Sequence, residues 1–204
     1  MSLLINDLEL ANRLRSERGA TDGAKHDEVW DGVYVMSPLP NNEHLILSSE
    51  LWLVFRTLLK ASGSGIAFNG VNVSDREQGW QKNYREPDVA VFLSDNSAKD
   101  CGTHWRGGPD LVVEILSPND RAREKLDFYA RLGVRELLVV DRDPWTLELY
   151  RADAGSLRIV GRSTIDHPVE LASTVLPITL RLHSGPDRPL IEITTIDRRQ
   201  SWMI

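Results

Sequence analysis

Apolar residues along the chain fall into short runs, and the spacing within each run predicts its secondary structure. Continuous apolar runs are typical of strands inside a sheet, and they occur at about 88–93, 110–116 and 137–141. A longer apolar segment from about Glu43 to Lys60 predicts a helix that is buried on most sides, with Asn42 as its N-cap. A further strand is predicted between the helix and these runs, over residues 66–73.

Residues 110–141 combine a strand, a helix and a second strand. Asp120 is the predicted N-cap of the helix at about 121–132, and Gly133 follows where a C′ glycine belongs. This order predicts a βαβ unit whose two strands are parallel and adjacent.

The two ends of the chain are predicted to add smaller elements around this unit. Residues 1–20 predict a polar helix or arm, and residues 28–36 predict a hairpin. Residues 145–151 alternate like an edge strand, and prolines divide residues 157–196 into short strands. We therefore predict one α/β (α+β) domain over residues 1–204, with a mixed central sheet flanked by helices, an N-terminal hairpin and C-terminal strands.

Composition and charge narrow the classes of function. A net charge of -6 argues against a broad basic surface for nucleic acid, although five basic residues against two acids between 121 and 135 leave room for a local one. The single cysteine excludes an internal disulfide and a cysteine-rich zinc site. Neither a membrane span nor a leader pattern is present, which predicts a cytoplasmic protein with no membrane partner. Glycine-rich nucleotide motifs are also missing, so no nucleotide cofactor is expected.

Glu114 is the most unusual residue, because it lies inside an otherwise apolar strand. An unpaired buried carboxylate costs several kcal/mol, so a partner is expected. Asp88 on the preceding strand is in phase with Ala90, and Glu114 is in phase with Val112. The two carboxylates therefore converge on one face if the strands are neighbours in the right register. Two carboxylates and a backbone carbonyl suit Mg²⁺ or Mn²⁺.

Lys125, in the first turn of the following helix, can direct its ammonium toward the same point. Two acids, a lysine and a metal form a minimal apparatus for phosphodiester hydrolysis. Four other residues are candidates for supporting roles: His44 at the start of the long helix, Glu50 further along it, Arg85 and Tyr129. Glu50 is considered as a third carboxylate near the metal, and Arg85 either as a contact for phosphate or as a partner of the adjacent Glu86. His44 and Glu50 lie on different sides of the helix, so only one of them can face such a site.

The order of these residues resembles the PD-(D/E)XK nuclease superfamily and, more narrowly, the Uma family of restriction endonucleases, most of which are uncharacterised. The resemblance extends over about residues 28–151 and rests on separate segments: Asp31-Gly32, Met36-Ser37-Pro38, Glu43-His44, Arg85-Glu86-Pro87-Asp88, Pro109 to Glu114, Ser117-Pro118, Lys125 with Tyr129, Gly133-Val134 and Val140-Asp141. It implies a restriction-endonuclease-like core that binds a divalent metal and cleaves nucleic acid. Asp88 and Glu114 would be the metal ligands and Lys125 the catalytic lysine. Nucleases of this fold often act as dimers, which makes a homodimer an expectation.

The chain departs from the superfamily pattern at the lysine. The superfamily's lysine usually lies two residues after the second acid, and Leu116 holds that position here. The Uma family resembles a version with the lysine on the next helix, although here the link to Lys125 is about one helical turn shorter than expected. The leading hypothesis is a metal-dependent endonuclease acting on DNA. The alternatives are a non-catalytic module that binds nucleic acid or protein, and a structural homodimer in which Glu114 is merely paired with Lys125.

Overall fold

The computed structural model describes residues 2–20, 24–118 and 120–204, so Met1 and Asn119 of the predicted segments lie outside the described residues. The helices are α1 (Leu8–Gly19), α2 (Asn42–Ser62) and α3 (Leu126–Arg131), and short 3₁₀ segments occupy Trp80–Lys82 and Ala122–Lys125. The strands are β1 (Leu3–Ile5), β2 (Glu28–Trp30), β3 (Val33–Met36), β4 (Gly65–Asn69), β5 (Val73–Ser74), β6 (Tyr84–Arg85), β7 (Val89–Leu93), β8 (Lys99–Asp100), β9 (Trp105–Arg106), β10 (Leu111–Ile115), β11 (Glu136–Arg142), β12 (Trp145–Asp153), β13 (Ser156–Thr164), β14 (Leu171–Ala172), β15 (Ile178–His183), β16 (Leu190–Thr195) and β17 (Ser201–Met203).

A six-stranded central sheet has the order β13-β12-β11-β10-β7-β4. β10 and β11 are parallel neighbours, as the βαβ pattern predicted, and the other pairs in this sheet are antiparallel. One face packs against α2 and the other against α3. The predicted fold class, a mixed sheet flanked by helices, is confirmed. The hairpin of β2 and β3 and the C-terminal strands are confirmed as well, and β14–β17 form a separate sheet.

Two predicted strand features are wrong in detail. The segment 145–151 is not at an edge, because β13 pairs along the outer side of β12. The strand predicted over residues 66–73 is interrupted at Gly70, whose φ of 73° turns the chain between β4 and β5. The polar helix predicted within residues 1–20 is α1, and the short strand β1 before it pairs with β3.

The predicted burial of the long helix is only partly correct. The sheet-facing side of α2 is fully covered, with Leu47, Leu51 and Phe55 all 0% exposed. However, Ile46 is 53% and Leu53 51% exposed on the other side, because only one layer packs against this helix. Its N-cap is Asn41, one residue earlier than predicted.

The segment after β10 begins as a 3₁₀ turn and becomes α-helical only at Leu126, so the helix predicted over 121–132 is shorter than expected. Asp120 still contributes at its start, since its carboxylate accepts a hydrogen bond from the Ala122 N–H at 2.8 Å. Gly133 ends the helix with a φ of 84°, as predicted. Across the described ranges, no helix is both long and apolar enough to cross a membrane.

Glu136 joins the central sheet to the C-terminal sheet through a fully buried carboxylate. It accepts hydrogen bonds from the Ser173 hydroxyl at 2.6 Å, from the Thr174 N–H at 2.9 Å and from Arg151 at 2.9 Å. Burial alone would raise the pKa of Glu136, but these donors outweigh it, and the pKa is lowered from 4.5.

This lowered pKa predicts how stability responds to acid. A carboxylate with a depressed folded-state pKa stabilises the protein above its unfolded pKa of 4.5 and loses that contribution as the pH falls through the lower folded value. We expect the free energy of unfolding to fall less steeply below pH 4.5 in Glu136→Gln than in the wild type. Urea unfolding across that range measures the slope, and Glu9→Gln on α1 is an exposed control. Equal slopes in Glu136→Gln and the wild type would contradict the prediction.

Candidate active site

A cleft opens where β7 and β10 separate from one another, and both acids of the predicted pair line it. The pairing of these strands includes Val113 opposite Val89, and extending that register by one residue places Asp88 opposite Glu114. Directly opposed residues of antiparallel strands point to the same face. The two carboxylates therefore share one face of the sheet, which is the geometry that a common metal site requires.

Glu114 is buried, with 5% of its surface exposed, and its carboxylate is fully engaged by polar groups. Lys125 Nζ lies 3.1 Å from Oε1 and 3.0 Å from Oε2. The hydroxyl of Tyr129 donates to Oε1 at 2.5 Å. These contacts supply the compensation that burial of this acid demands.

Glu28 is a third carboxylate in the cluster; it is buried like Glu114, and the sequence pattern did not reveal its role. Its Oε1 lies 2.9 Å from Lys125 Nζ and accepts the Glu86 N–H at 2.8 Å. Its Oε2 accepts the indole N–H of Trp30 at 2.6 Å. In the sequence, Glu28 was visible only as an acid at the first position of the predicted hairpin. Such a position is ordinarily on the surface, so it gave no sign of a buried site.

The electrostatics of the cluster reflect an excess of acid. Burial raises the pKa of Glu114 to about 8; Lys125 opposes this rise, and Asp88 and Glu28 add to it. Burial by itself would lower the pKa of Lys125. The combined attraction of Glu114 and Glu28 outweighs burial, and the pKa of Lys125 is therefore raised. Lys125 is therefore a cation that two buried carboxylates, Glu28 and Glu114, share.

Asp88 is fixed from two directions. Its Oδ2 accepts the backbone N–H of Ile115 at 2.6 Å, where β7 no longer pairs with β10. Its Oδ1 lies 2.7 Å from His44 Nε2, at the start of α2. His44 Nδ1 is buried without a hydrogen-bond partner. The structure therefore places His44 beside the first acid of the pair, where a supporting role is possible.

Two of the predicted supporting residues lie elsewhere. Glu50 is on the exposed side of α2 and does not line the cleft, so its prediction as a third carboxylate is wrong. Arg85 is buried between the rings of Trp30 and Phe128, at 4.7 and 4.1 Å from their centroids, and donates to the Val29 carbonyl. Its predicted contact with phosphate is therefore wrong, because the guanidinium is part of the interior.

The cluster can be compared with the needs of a divalent cation. Among residues 2–20, 24–118 and 120–204, no three His, Cys, Asp or Glu side chains are grouped as a ready metal site. Mg²⁺, however, is usually bound by one or two carboxylates and keeps several waters. Asp88 and Glu114 supply two hard oxygen donors in a region where carboxylates outnumber lysines, so the residues present fit Mg²⁺ or Mn²⁺.

Comparison with known proteins agrees with this architecture. The family model Uma2, described as "putative restriction endonuclease", matches residues 12–183. A crystal structure described as "a putative nuclease" from Anabaena variabilis superimposes with a TM-score of 0.55 at 22% sequence identity, covering 71% of this chain and 80% of that chain. No curated protein matches the chain.

The mixed sheet with a helix on each face is a nuclease-like α+β fold. Within that class, the match over most of its length shows that the chain belongs to the Uma2 family of putative restriction endonucleases.

Proposed function

We propose that this protein is an endonuclease that hydrolyses DNA phosphodiester bonds with Mg²⁺ or Mn²⁺. One observation carries the proposal, namely the convergence of Asp88, Glu114 and Lys125 in a single cleft. Family membership supports nuclease activity, and the paired carboxylates support dependence on a metal.

Each residue of the cluster has a role in this proposal. When bound, the metal would polarise the phosphate and acidify a water molecule. Asp88 and Glu114 would hold it, and His44 keeps the Asp88 carboxylate oriented through their 2.7 Å contact. Lys125 would stabilise the negative charge that develops on the phosphate. Tyr129 and Glu28 fix Glu114 and Lys125 in place.

The direct test is to incubate the purified protein with single-stranded, duplex and branched DNA and with RNA. Each substrate is tested with Mg²⁺, with Mn²⁺ and with EDTA. We expect DNA cleavage that requires the metal and is lost in EDTA. Cleavage that persists in EDTA would overturn the metal requirement, and cleavage of RNA alone would overturn the assignment to DNA.

His44 provides a second test, because it acts only through Asp88 in this proposal. Residues that orient a metal ligand typically change metal affinity or activity by about 10 to 100-fold when mutated. We expect His44→Ala to lose cleavage activity and Mn²⁺ affinity within that range. Calorimetry and cleavage rates measure the two effects, and His183→Ala in β15 is the matched control. Unchanged metal affinity in His44→Ala would assign this histidine to packing alone.

One observation favours a second candidate, a non-catalytic module that binds nucleic acid. Both oxygens of Glu114 already contact Lys125, and one also accepts the Tyr129 hydroxyl. A cluster that is satisfied in this way is stable without a metal. Binding of DNA without cleavage in either metal would select this candidate over the endonuclease.

A further inference from the structure

A row of side chains on α2 leads away from the cleft at four-residue intervals. The row is His44, Ser48, Trp52, Arg56 and Lys60, and residues four apart lie next to each other on a helix. The first two line the cleft, and the last three line a second groove that follows β4. At 1.5 Å per residue, the row extends for about 24 Å. Asn69 lines both the cleft and the groove, so the two are continuous.

β4 forms the base of this groove as an edge strand of the central sheet. Ser64 and Gly70, which flank β4, both make backbone hydrogen bonds toward the β7 side, so positions 64, 66, 68 and 70 pair inward. The alternating positions 65, 67 and 69 therefore direct their backbone groups outward. The indole of Trp52 donates to the outward carbonyl of Ala67 at 2.9 Å, and the N–H groups of positions 65 and 69 point to the same side.

The charges that line this groove are mainly positive. Arg56 and Lys60 are both exposed, and the Arg56 guanidinium lies 5.1 Å from the centroid of the Trp52 ring. Because the indole is itself anchored to β4, this contact holds Arg56 at the groove. The acid in the lining is Asp100, whose carboxylate accepts the Gly102 N–H at 2.7 Å. Two cations beside backbone donors are complementary to phosphates, and they stand out on a protein of net charge -6.

We propose that the groove along β4 binds the phosphate backbone of one unpaired nucleic-acid strand that continues out of the cleft. The substrate class rests on the proposed nuclease function, but the groove is a separate site. A single strand fits better than a duplex, because the groove presents one row of cations with an aromatic side chain beside it.

The test measures binding in EDTA, which separates it from cleavage. A labelled single-stranded DNA oligonucleotide is titrated with the wild type and with Arg56→Gln/Lys60→Gln at several salt concentrations. We expect the variant to bind about tenfold more weakly. The slope of log K against log salt should be smaller in magnitude by about 1.4, because each of the two lost phosphate contacts contributes about 0.7. The double variant Arg13→Gln/Arg158→Gln removes the same charge from exposed positions on α1 and β13, and its slope should match that of the wild type.

The outcomes separate this proposal from the proposed function. Equal slopes for the groove variant and the control variant would overturn the groove, even if the protein cleaves DNA. A selective loss in the groove variant supports the groove, even if no cleavage is found and the nuclease proposal fails. Tighter binding of blunt duplex than of single strand would overturn the assignment to an unpaired strand. The groove would be a subunit interface instead if the protein sediments as a dimer and Ile66→Asp, on β4, makes it monomeric.

Discussion

Glu114→Gln is expected to abolish metal-dependent cleavage while leaving the folded protein at least as stable as the wild type. Loss of a metal ligand and its charge should lower the cleavage rate by at least about 10³-fold. Stability should be maintained because two buried carboxylates, Glu28 and Glu114, share one lysine. Removing the charge of Glu114 leaves Lys125 paired with Glu28 at 2.9 Å, and glutamine has the size to keep the contact with Tyr129.

The pH dependence of this effect has a defined sign. Burial raises the pKa of Glu114 from 4.5 to about 8, so the wild-type folded state becomes less stable relative to the unfolded state as the pH rises between those values. Glu114→Gln does not titrate at this position. The stability advantage of the variant should therefore grow from pH 4.5 to about 8 and then level off.

Urea unfolding across this pH range measures the stability of Glu114→Gln, and cleavage rates in Mn²⁺ measure its activity. Glu50→Gln is the matched control, because Glu50 lies on the exposed side of α2. It should change neither quantity. A variant that loses stability in step with activity would show that Glu114 is a structural ion-pair partner and would argue against its role as a metal ligand.

Lys125→Met is expected to produce the largest loss of stability. Methionine fills a similar volume but leaves Glu28 and Glu114 buried without their shared cation. Removing one partner of a buried ion pair typically costs about 3–5 kcal/mol. The loss should be greatest at alkaline pH, where Glu114 must be ionised, and smaller at acid pH, where Glu114 can bind a proton.

A double-mutant cycle identifies the cause of this loss. Glu28→Gln combined with Lys125→Met removes one of the two stranded charges, so it should be more stable than Lys125→Met alone. Lys99→Met is the control, because Lys99 and Glu77 form a comparable pair at 2.6 Å on the exposed surface. Its stability should change little. Equal losses in Lys99→Met and Lys125→Met would refute the shared-cation description of the cluster.

Several local features of the site followed from the sequence alone. The apolar run around Glu114 predicted a strand inside the sheet. The N-cap Asp120 and the C′ glycine Gly133 marked a helix around Lys125, and this order predicted a βαβ unit with parallel strands. The phase of Asp88 and Glu114 along their strands predicted a common face, which the antiparallel register of β7 and β10 confirms. These features were predictable because alternation and capping depend on residues that are close together in the chain.

Tertiary structure decided which distant groups meet. Glu28 lies 97 positions before Lys125 along the chain, yet it shares that lysine with Glu114. Arg85 adjoins the predicted active-site motif, but Trp30 and Phe128 enclose it in the interior. Glu50 belongs to an apolar helix segment and is nevertheless exposed, since a single layer covers α2. Sequence periodicity determines which side of a helix or strand is apolar. What each side contacts depends on how the sheets and helices pack against one another. That packing also decides which carboxylates lie next to Lys125.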